Sequence, residues 1–326
     1  MQGSSYWSSA SVSRGFVFFA AAFGTVVLAL VRLDLAAVAP YRLPLAVAAV
    51  VLLVIASFWY VLAPSFSVWE ARKARAAYGT HRDVLANIIA GVAIGNLLFL
   101  PILLGGLAVA EVLEAGGNPF SAPGQVVASV TDVVSNNMPL LVFLSLVGLD
   151  AALLVVVYLR LVRPGATTER ELGWTAGHLL RNLAIGVLGF LAIIVVSAVI
   201  AYTLMGFGVT QTQTEQMGIR RSSQFVFYLL LLGAGILAPV AEETFFRGYV
   251  FRAYLTSLGP VWAYGLSALI FGVLHLNLPA LLPVVLIGLI LAFLYQRTGS
   301  LVSPIVAHGL NNALGLAAVY FSQQGA

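Results

Sequence analysis

The chain lacks cysteine entirely and carries few charged residues. None of its 326 residues is a cysteine, which excludes disulfide bonds, thiol catalysis and cysteine-based metal sites for this sequence. Only 9% of the residues are charged, against ~25% in an average soluble domain. With 61% hydrophobic residues and a mean hydropathy of +1.01, the composition predicts a polytopic membrane protein.

Apolar runs long enough to cross a bilayer recur along the chain. A transmembrane helix needs roughly 17 to 25 apolar residues. Lipid leaves open strand edges without partners, so the spans are expected to be helical. We therefore predict an all-α, polytopic membrane helix bundle with eight to nine transmembrane helices. The long runs are residues 15–31, 44–63, 85–110, 137–160, 183–205 and 223–241, and shorter runs follow at 260–275, 281–296 and 301–321.

Basic residues in the loops predict the orientation of the chain. Cytoplasmic loops of membrane proteins carry an excess of Lys and Arg. The loop after the second run and the loop after the fourth are basic, whereas residues 111–136 contain acids and no Lys or Arg. This pattern predicts a cytoplasmic amino terminus and places Arg247 and Arg252 near the cytoplasmic face. The basic residues are Arg72, Lys73, Arg75 and Arg82 in the first of these loops, and Arg160, Arg163, Arg170 and Arg181 in the second.

Polar residues are distributed unevenly between the two halves of the chain. Residues 1–170 contain no clustered polar chemistry inside their spans, so we expect an accessory amino-terminal bundle of four spans. Residues 175–322 are expected to form the functional bundle. The net charge of +4 reflects the membrane topology, and no basic aromatic stripe indicates a nucleic-acid partner.

The functional half concentrates its charges near residue 242. From residue 223 onward the only charged residues are Glu242, Glu243, Arg247, Arg252 and Arg297. Ionisable groups at membrane depth cost several kcal/mol unless they are paired or wetted. On a helix, Glu243 and Arg247 are four residues apart with the acid first, which favours an ion pair. Glu242 points about 100° away and is therefore the candidate general base. The alternative is a charge cluster at a helix end.

Three further polar side chains lie in the following apolar runs. His275 ends one run, and His308 and Asn312 are four residues apart in the next run but one, on one helix face. His275 alone is typical of a core histidine bonded to a backbone carbonyl. His308 and Asn312 can bond a neighbouring helix or stabilise an oxyanion. Because 33 residues separate Glu242 from His275, and His275 from His308, three helices of one bundle can bring them together.

These motifs resemble those of a known family. The pattern Glu242-Glu243-x-x-x-Arg247, Phe271-x-x-x-His275 and His308-x-x-x-Asn312 is similar to the three motifs of the CAAX prenyl protease and bacteriocin-processing family of intramembrane proteases, relatives of the type II CAAX endopeptidase. The resemblance covers about residues 223–315. It implies peptide hydrolysis, with Glu242 and His275 activating a water and with His308 and Asn312 stabilising the oxyanion. Glu243 and Arg247 would support the site.

The resemblance leaves the metal and the substrate open. Glu242, His275 and His308 are the residue types of a His2Glu zinc set, but the His-Glu-x-x-His signature is absent. We expect no metal cofactor, with zinc as the alternative. The Ala-rich, cysteine-free chain is typical of prokaryotes, which predicts a plasma-membrane protein acting on a leader peptide, a bacteriocin precursor or a membrane-anchored protein.

Two other classes of protein remain possible from the sequence. A transporter would use the same cluster as a proton or ion relay, with Asp150 in the fourth run as a second element. No matched pair of interrupted runs indicates the inverted halves that many transporters show. The other class is an inactive scaffold that keeps the fold and assembles with a membrane partner, and the intact motifs argue against it.

Overall fold

The computed structural model describes residues 78–118, 123–206 and 223–322, apart from positions 80, 164 and 176, and isolated positions before residue 78. These residues form helices and contain no strand. The helices are α1 (His81–Glu114), α2 (Pro123–Val157, continued by the π-helical turn Tyr158–Val162), α3 (Glu169–Leu172), α4 (Leu179–Gly206), α5 (Gln224–Ser257), α6 (Pro260–Leu274), α7 (Leu281–Thr298) and α8 (Val302–Phe321).

Six of the described helices are long and apolar enough to cross a membrane. They are α1, the Met138–Val162 part of α2, α4, α5, α7 and α8, and α6 is a shorter apolar helix. The all-α membrane bundle is thus confirmed for the described residues. The runs expected at 15–31 and 44–63 lie outside these residues, so the total of eight to nine transmembrane helices stays a prediction, as does the division of the chain near residue 170.

Helix α5 is longer than the apolar run that predicted it. We expected this span to end near residue 241, but the helix continues to Ser257 and therefore contains the acids and Arg247. It can continue because Glu243 and Arg247 pair with each other inside it, at 2.7 Å. Its second half also carries large apolar side chains, including Phe245, Tyr249 and Phe251, which are fully buried. Helices α1, α2, α6, α7 and α8 all pack against α5, which makes it the central helix.

A polar network joins the carboxyl end of α5 to the segment between α2 and α4. Arg252 donates to the hydroxyls of Tyr295 at 2.5 Å and Tyr78 at 3.1 Å. The Tyr295 hydroxyl in turn donates to the backbone carbonyl of Leu172 at 3.0 Å. These bonds place Arg252 at the same end of the bundle as α3, as the alternation of the loops predicts. Which face of the membrane this end meets stays a prediction.

The short helix α3 is fixed by a capping box. The Thr168 hydroxyl accepts from the backbone N–H of Glu171, and the Glu171 carboxylate accepts from the backbone N–H of Thr168. These bonds from the backbone and side chain of Thr168 hold the pKa of the Glu171 carboxyl below its usual value. Thr167 also donates to this carboxylate and is bonded to Tyr78. The cap therefore connects α3 to the network around Arg252.

A proline widens α5 just before the acids. Residues Gly233–Leu237 are π-helical, and the N–H of Ala238 donates to Gly233 five residues earlier. The next bond of this pattern would join residue 239 to Ala234, but Pro239 has no N–H to donate. The Ala234 carbonyl therefore needs another donor, which the side chain of Asn312 on α8 supplies at 2.9 Å.

Two glycines allow α5 and α8 to approach this closely. A Cβ at Gly309 would lie 2.4 Å from the carbonyl oxygen of Gly235, a distance that requires the backbone to move. Small residues at such crossings let membrane helices pack backbone to backbone. The contact lies one turn before Asn312 on α8. Gly309 therefore fixes the distance over which Asn312 reaches α5.

We predict that Gly309→Val destabilises the protein by about 1 to 3 kcal/mol, the usual cost of overpacking. The matched control is Gly265→Ala on α6, where an added Cβ meets nothing within 4 Å. Thermal unfolding of both variants in detergent should show a lowered midpoint for Gly309→Val alone. Equal midpoints for the two variants would contradict the close helix contact.

Candidate active site

The four residues predicted to be catalytic line one cavity of ≈ 180 Å³, whereas the supporting residues Glu243 and Arg247 do not. Glu242 comes from α5, His275 from the carboxyl end of α6, and His308 and Asn312 from α8. The packing of these helices therefore brings together residues that are far apart in the sequence. The cavity is lined by Leu146, Ala234, Ala238, Glu242, Phe271, His275, Val284, Ile287, His308, Asn311, Asn312, Gly315 and Leu316.

The two adjacent acids have different surroundings. Glu243 is fully buried, and its Oε1 accepts from the Arg247 guanidinium at 2.7 Å. Arg247 also donates to the backbone carbonyl of Gly288 on α7 at 3.1 Å. Glu242 instead lines the cavity, its side chain is 16% exposed, and its Oε2 has no hydrogen-bond partner. Glu243 is thus paired with Arg247 and Glu242 faces the cavity, and the role of Glu242 as a base stays a prediction.

Phe271 holds three polar groups around one ring. The Arg247 guanidinium carbon lies 4.5 Å from the ring centroid, within the range of a cation–π interaction. The rings of His275 and His308 approach the same ring at centroid distances of 4.8 and 5.8 Å with steep interplanar angles. Phe271 is 1% exposed, so it cannot turn away from these neighbours.

His308 lies between the two glutamates. Its Nδ1 is 2.8 Å from Glu243 Oε1, and its Nε2 is 3.8 Å from Glu242 Oε2. A carboxylate only accepts, so Nδ1 carries a proton and donates to Glu243. In the neutral ring Nε2 would then hold a lone pair. A donation from His308 into the cavity would therefore need a second proton, on Nε2.

His275 is bonded to the backbone and also lines the cavity. Its Nδ1 is 2.8 Å from the carbonyl oxygen of Phe271 one turn earlier, so Nδ1 is the donor. This is the bond of a core histidine, which the sequence left open as an alternative. The same bond fixes the tautomer, because the proton on Nδ1 leaves the lone pair on Nε2. His275 thus combines a structural bond with a free basic nitrogen.

The cavity includes residues that the sequence did not single out. Asn311 precedes Asn312 and lies three residues after His308, so the helical spacing that selected Asn312 could also have found it. Leu146 comes from α2, within the half of the chain expected to be accessory. No local pattern in the sequence marks Leu146, because only the packing of α2 against α5 brings it to the site.

A third acid lies beside the cavity without lining it. Asp150 on α2 is 5% exposed, and its Oδ2 has no hydrogen-bond partner. It is close enough to Glu242 for the two carboxylates to interact electrostatically. Asp150 is one helical turn after Leu146, so it lies next to the wall that α2 contributes.

The residues do not fit the zinc alternative. That alternative needs Glu242, His275 and His308 around one ion, but no group of three or more His, Asp or Glu side chains in the described part of the chain is placed to hold a metal. The bond from His308 Nδ1 to Glu243 leaves Nε2 available, so this bond is compatible with both the metal-free and the zinc hypothesis. We therefore derive no chemical step through a metal.

Comparison with known proteins finds similarity to the carboxyl-terminal segment of this chain. Residues 224–314 match the sequence model of the type II CAAX prenyl endopeptidase Rce1-like family. The chain is 36% identical over 84 residues to the "Putative membrane peptidase YdiL" of Bacillus subtilis (strain 168), which is 26% of this chain and 34% of that protein. It is also 36% identical over 95 residues to an "Uncharacterized 24.3 kDa protein" of Escherichia coli, 27% of this chain and 43% of that protein.

These matches confirm the family resemblance over residues 224–314. The segment contains all three motifs and runs from α5 into α8. The chain spans less than half the length of the two curated relatives. No solved structure matches the chain.

We predict that Arg247→Ala lowers the free energy of unfolding by about 3 to 5 kcal/mol, because it leaves the buried Glu243 carboxylate without its partner. Arg297→Ala is the matched control, since Arg297 is exposed at the end of α7. Chemical or thermal unfolding in detergent checks both. A midpoint unchanged by Arg247→Ala would show that the ion pair does not stabilise the bundle.

Proposed function

We propose that this protein is an intramembrane endopeptidase that hydrolyses a peptide bond of a leader-peptide or membrane-associated substrate. The observation that carries the proposal is the convergence of Glu242, His275, His308 and Asn312 on one cavity. The match of residues 224–314 to the CAAX endopeptidase family supports it. The six apolar helices support an integral membrane protein, as this function requires.

In the proposed reaction, Glu242 and His275 prepare a water molecule. The Glu242 carboxylate, which lines the cavity, accepts a proton from the water, and the lone pair on His275 Nε2 orients the second hydrogen. The water oxygen attacks the substrate carbonyl carbon to form a tetrahedral intermediate. Glu242 then returns its proton to the leaving nitrogen as the carbon–nitrogen bond breaks. The buried Glu243–Arg247 pair keeps its own charges balanced beside the reacting groups.

The oxyanion of the intermediate is assigned to His308 and Asn312. Donors that are fixed before the reaction stabilise developing charge without reorganisation. Asn312 is fixed because one N–H of its amide is bonded to Ala234, which leaves the second N–H for the oxyanion. His308 would donate from Nε2 as an imidazolium stabilised by Glu243. We further propose that the cavity opens toward the cytoplasm, as the basic loops predict.

We predict that Glu242→Gln abolishes peptide hydrolysis while the folded yield stays near that of the unaltered protein, because the amide keeps the shape and removes the base. The purified protein is assayed against a peptide library, with cleavage detected by mass spectrometry. Glu243→Gln is the comparison variant. It should lower the free energy of unfolding, and the protein that stays folded should still hydrolyse peptides. Loss of activity in a stable Glu243→Gln protein, with Glu242→Gln active, would reverse the two roles.

Metal removal gives an independent prediction. Hydrolysis by a glutamate base should continue at full rate after treatment with a chelator, and the purified protein should contain far less than one zinc ion per chain. Metal analysis of the same preparation accompanies the rate measurement. Activity that is lost in chelator and restored by zinc would contradict the proposed mechanism.

A buried acid without a hydrogen-bond partner for its Oδ2, Asp150, favours a second candidate function, a proton or ion relay. Asp150 is buried on α2, which packs against α5, and Glu242 lies on α5. Such intramembrane acids are typical of proton pathways. This function needs both acids to exchange protons, whereas the peptidase needs only Glu242. Asp150 does not line the cavity, so hydrolysis does not require it to touch the substrate.

We predict that Asp150→Asn preserves hydrolysis within about an order of magnitude, because it keeps the shape of a side chain that contacts no substrate. The variant and the unaltered protein are compared for peptide cleavage and, in proteoliposomes, for proton flux. A proton flux that Asp150→Asn abolishes, in a protein that cleaves no peptide, would replace the peptidase with the relay.

A further inference from the structure

Two neighbouring amides on α8 line the cavity but are bonded differently. Asn312 donates to the Ala234 carbonyl at 2.9 Å. Asn311 makes no hydrogen bond to any residue in the part of the chain that the structure describes. Its side chain is half-buried, so it faces the cavity and not the bulk solvent. The third motif of the resemblance includes Asn312 and leaves Asn311 without a role.

The free amide of Asn311 matches the chemistry of a peptide main chain. A carboxamide has an oxygen that accepts and an NH2 group that donates, so it can bond a backbone N–H and a backbone carbonyl. A polar group in a largely apolar cavity is costly when it has no partner. Much of this cavity wall is apolar, including Leu146, Val284 and Ile287. A substrate that supplies both partners would therefore gain affinity from Asn311.

This requirement constrains the conformation of the substrate. Backbone groups inside an intact helix are already bonded to each other, and in lipid this pairing is complete. Only a segment that is extended or locally unwound presents a free N–H and a free carbonyl. The peptide that reaches Asn311 must therefore have left the helical conformation.

We propose that Asn311 binds the main chain of the substrate, donating to one carbonyl and accepting from one N–H, and that the cavity takes a peptide segment in an extended conformation. This inference rests on the proposed peptidase function, because it identifies what the same cavity binds. It separates the two asparagines by role. Asn312 is anchored and acts on the rate, whereas Asn311 is unanchored and acts on affinity.

The test measures binding in a protein that cannot turn over. Fluorescent peptides from a short-peptide library are titrated into the Glu242→Gln protein in detergent, with and without Asn311→Ala. Removing two neutral hydrogen bonds should weaken binding about tenfold. Leu314→Ala, an exposed position on the same helix, is the matched control and should bind as the parent does. Unfolding midpoints of the variants confirm that the bundle is intact.

Modified peptides provide the second arm. Methylating each peptide nitrogen in turn should weaken binding at one position only, and Asn311→Ala should remove that sensitivity, because the methyl group and the substitution delete the same bond. A peptide held helical by a side-chain crosslink should bind at least tenfold more weakly than its linear form. Equal binding with and without Asn311→Ala, equal binding of the helical peptide, or no binding of any peptide would overturn the inference.

Cleavage by the unaltered protein separates this inference from the proposed function. If Asn311-dependent binding occurs and no bound peptide is cleaved, the peptidase proposal fails and the binding role of Asn311 stands. If peptides are cleaved but neither their binding nor their Michaelis constant depends on Asn311, the inference fails and the peptidase proposal stands. In an active protein, Asn311→Ala should raise the Michaelis constant about tenfold with kcat nearly unchanged.

Discussion

The ion pair between Glu243 and Arg247 is the interaction on which the rest of the site depends. Both side chains are almost completely buried, and an unpaired charge at this depth would cost several kcal/mol. The pair lets α5 continue through the bundle with charged residues in its interior. Its carboxylate also holds His308, and its guanidinium lies over Phe271 and bonds to α7. One pair thus connects α5, α6, α7 and α8 around the cavity.

The second constraint is a missing backbone hydrogen bond in α5. Pro239 leaves the Ala234 carbonyl without a backbone donor inside the helix. Asn312 supplies the missing hydrogen bond, which fixes the orientation of its amide. The side chain of Asn312 therefore both completes the hydrogen bonding of α5 and is held in place for its proposed role at the oxyanion. π-Helical turns recur at functional sites in other proteins for comparable reasons.

Much of the site follows from the spacing of residues along single helices. The separation of four residues predicted the Glu243–Arg247 pair, and the offset of one residue predicted that Glu242 faces elsewhere. The spacing of residues along one helix does not predict the contacts between helices. The bond from Asn312 to Ala234 depends on Pro239 and on the approach of Gly309 to Gly235. The protonated nitrogen of His308 likewise depends on a carboxylate 65 residues away in the sequence.

The local features of the fold could likewise be predicted from the sequence, whereas its tertiary packing could not. Hydropathy located the apolar helices because lipid demands length and internal bonding, and these demands are local. The run that ends near residue 241 underestimated α5, because hydropathy counts Glu243 and Arg247 as polar whether or not they neutralise each other. Leu146 and Asp150 reach the site through tertiary packing of α2, for which no periodicity exists in the sequence. The apparent division of the chain by composition therefore does not separate the walls of the cavity.

The position of α8 has a consequence for biosynthesis. His308 and Asn312 lie on the last of the described helices, so a growing chain inserts Glu242 into the membrane well before these partners are made. Until α8 packs against α5, the Ala234 carbonyl has no donor and Glu243 lacks the bond from His308. The reactive arrangement can form only after α8 has entered the bilayer. A nascent chain that has not yet inserted α8 would thus remain inert toward the neighbouring polypeptides that share its insertion machinery.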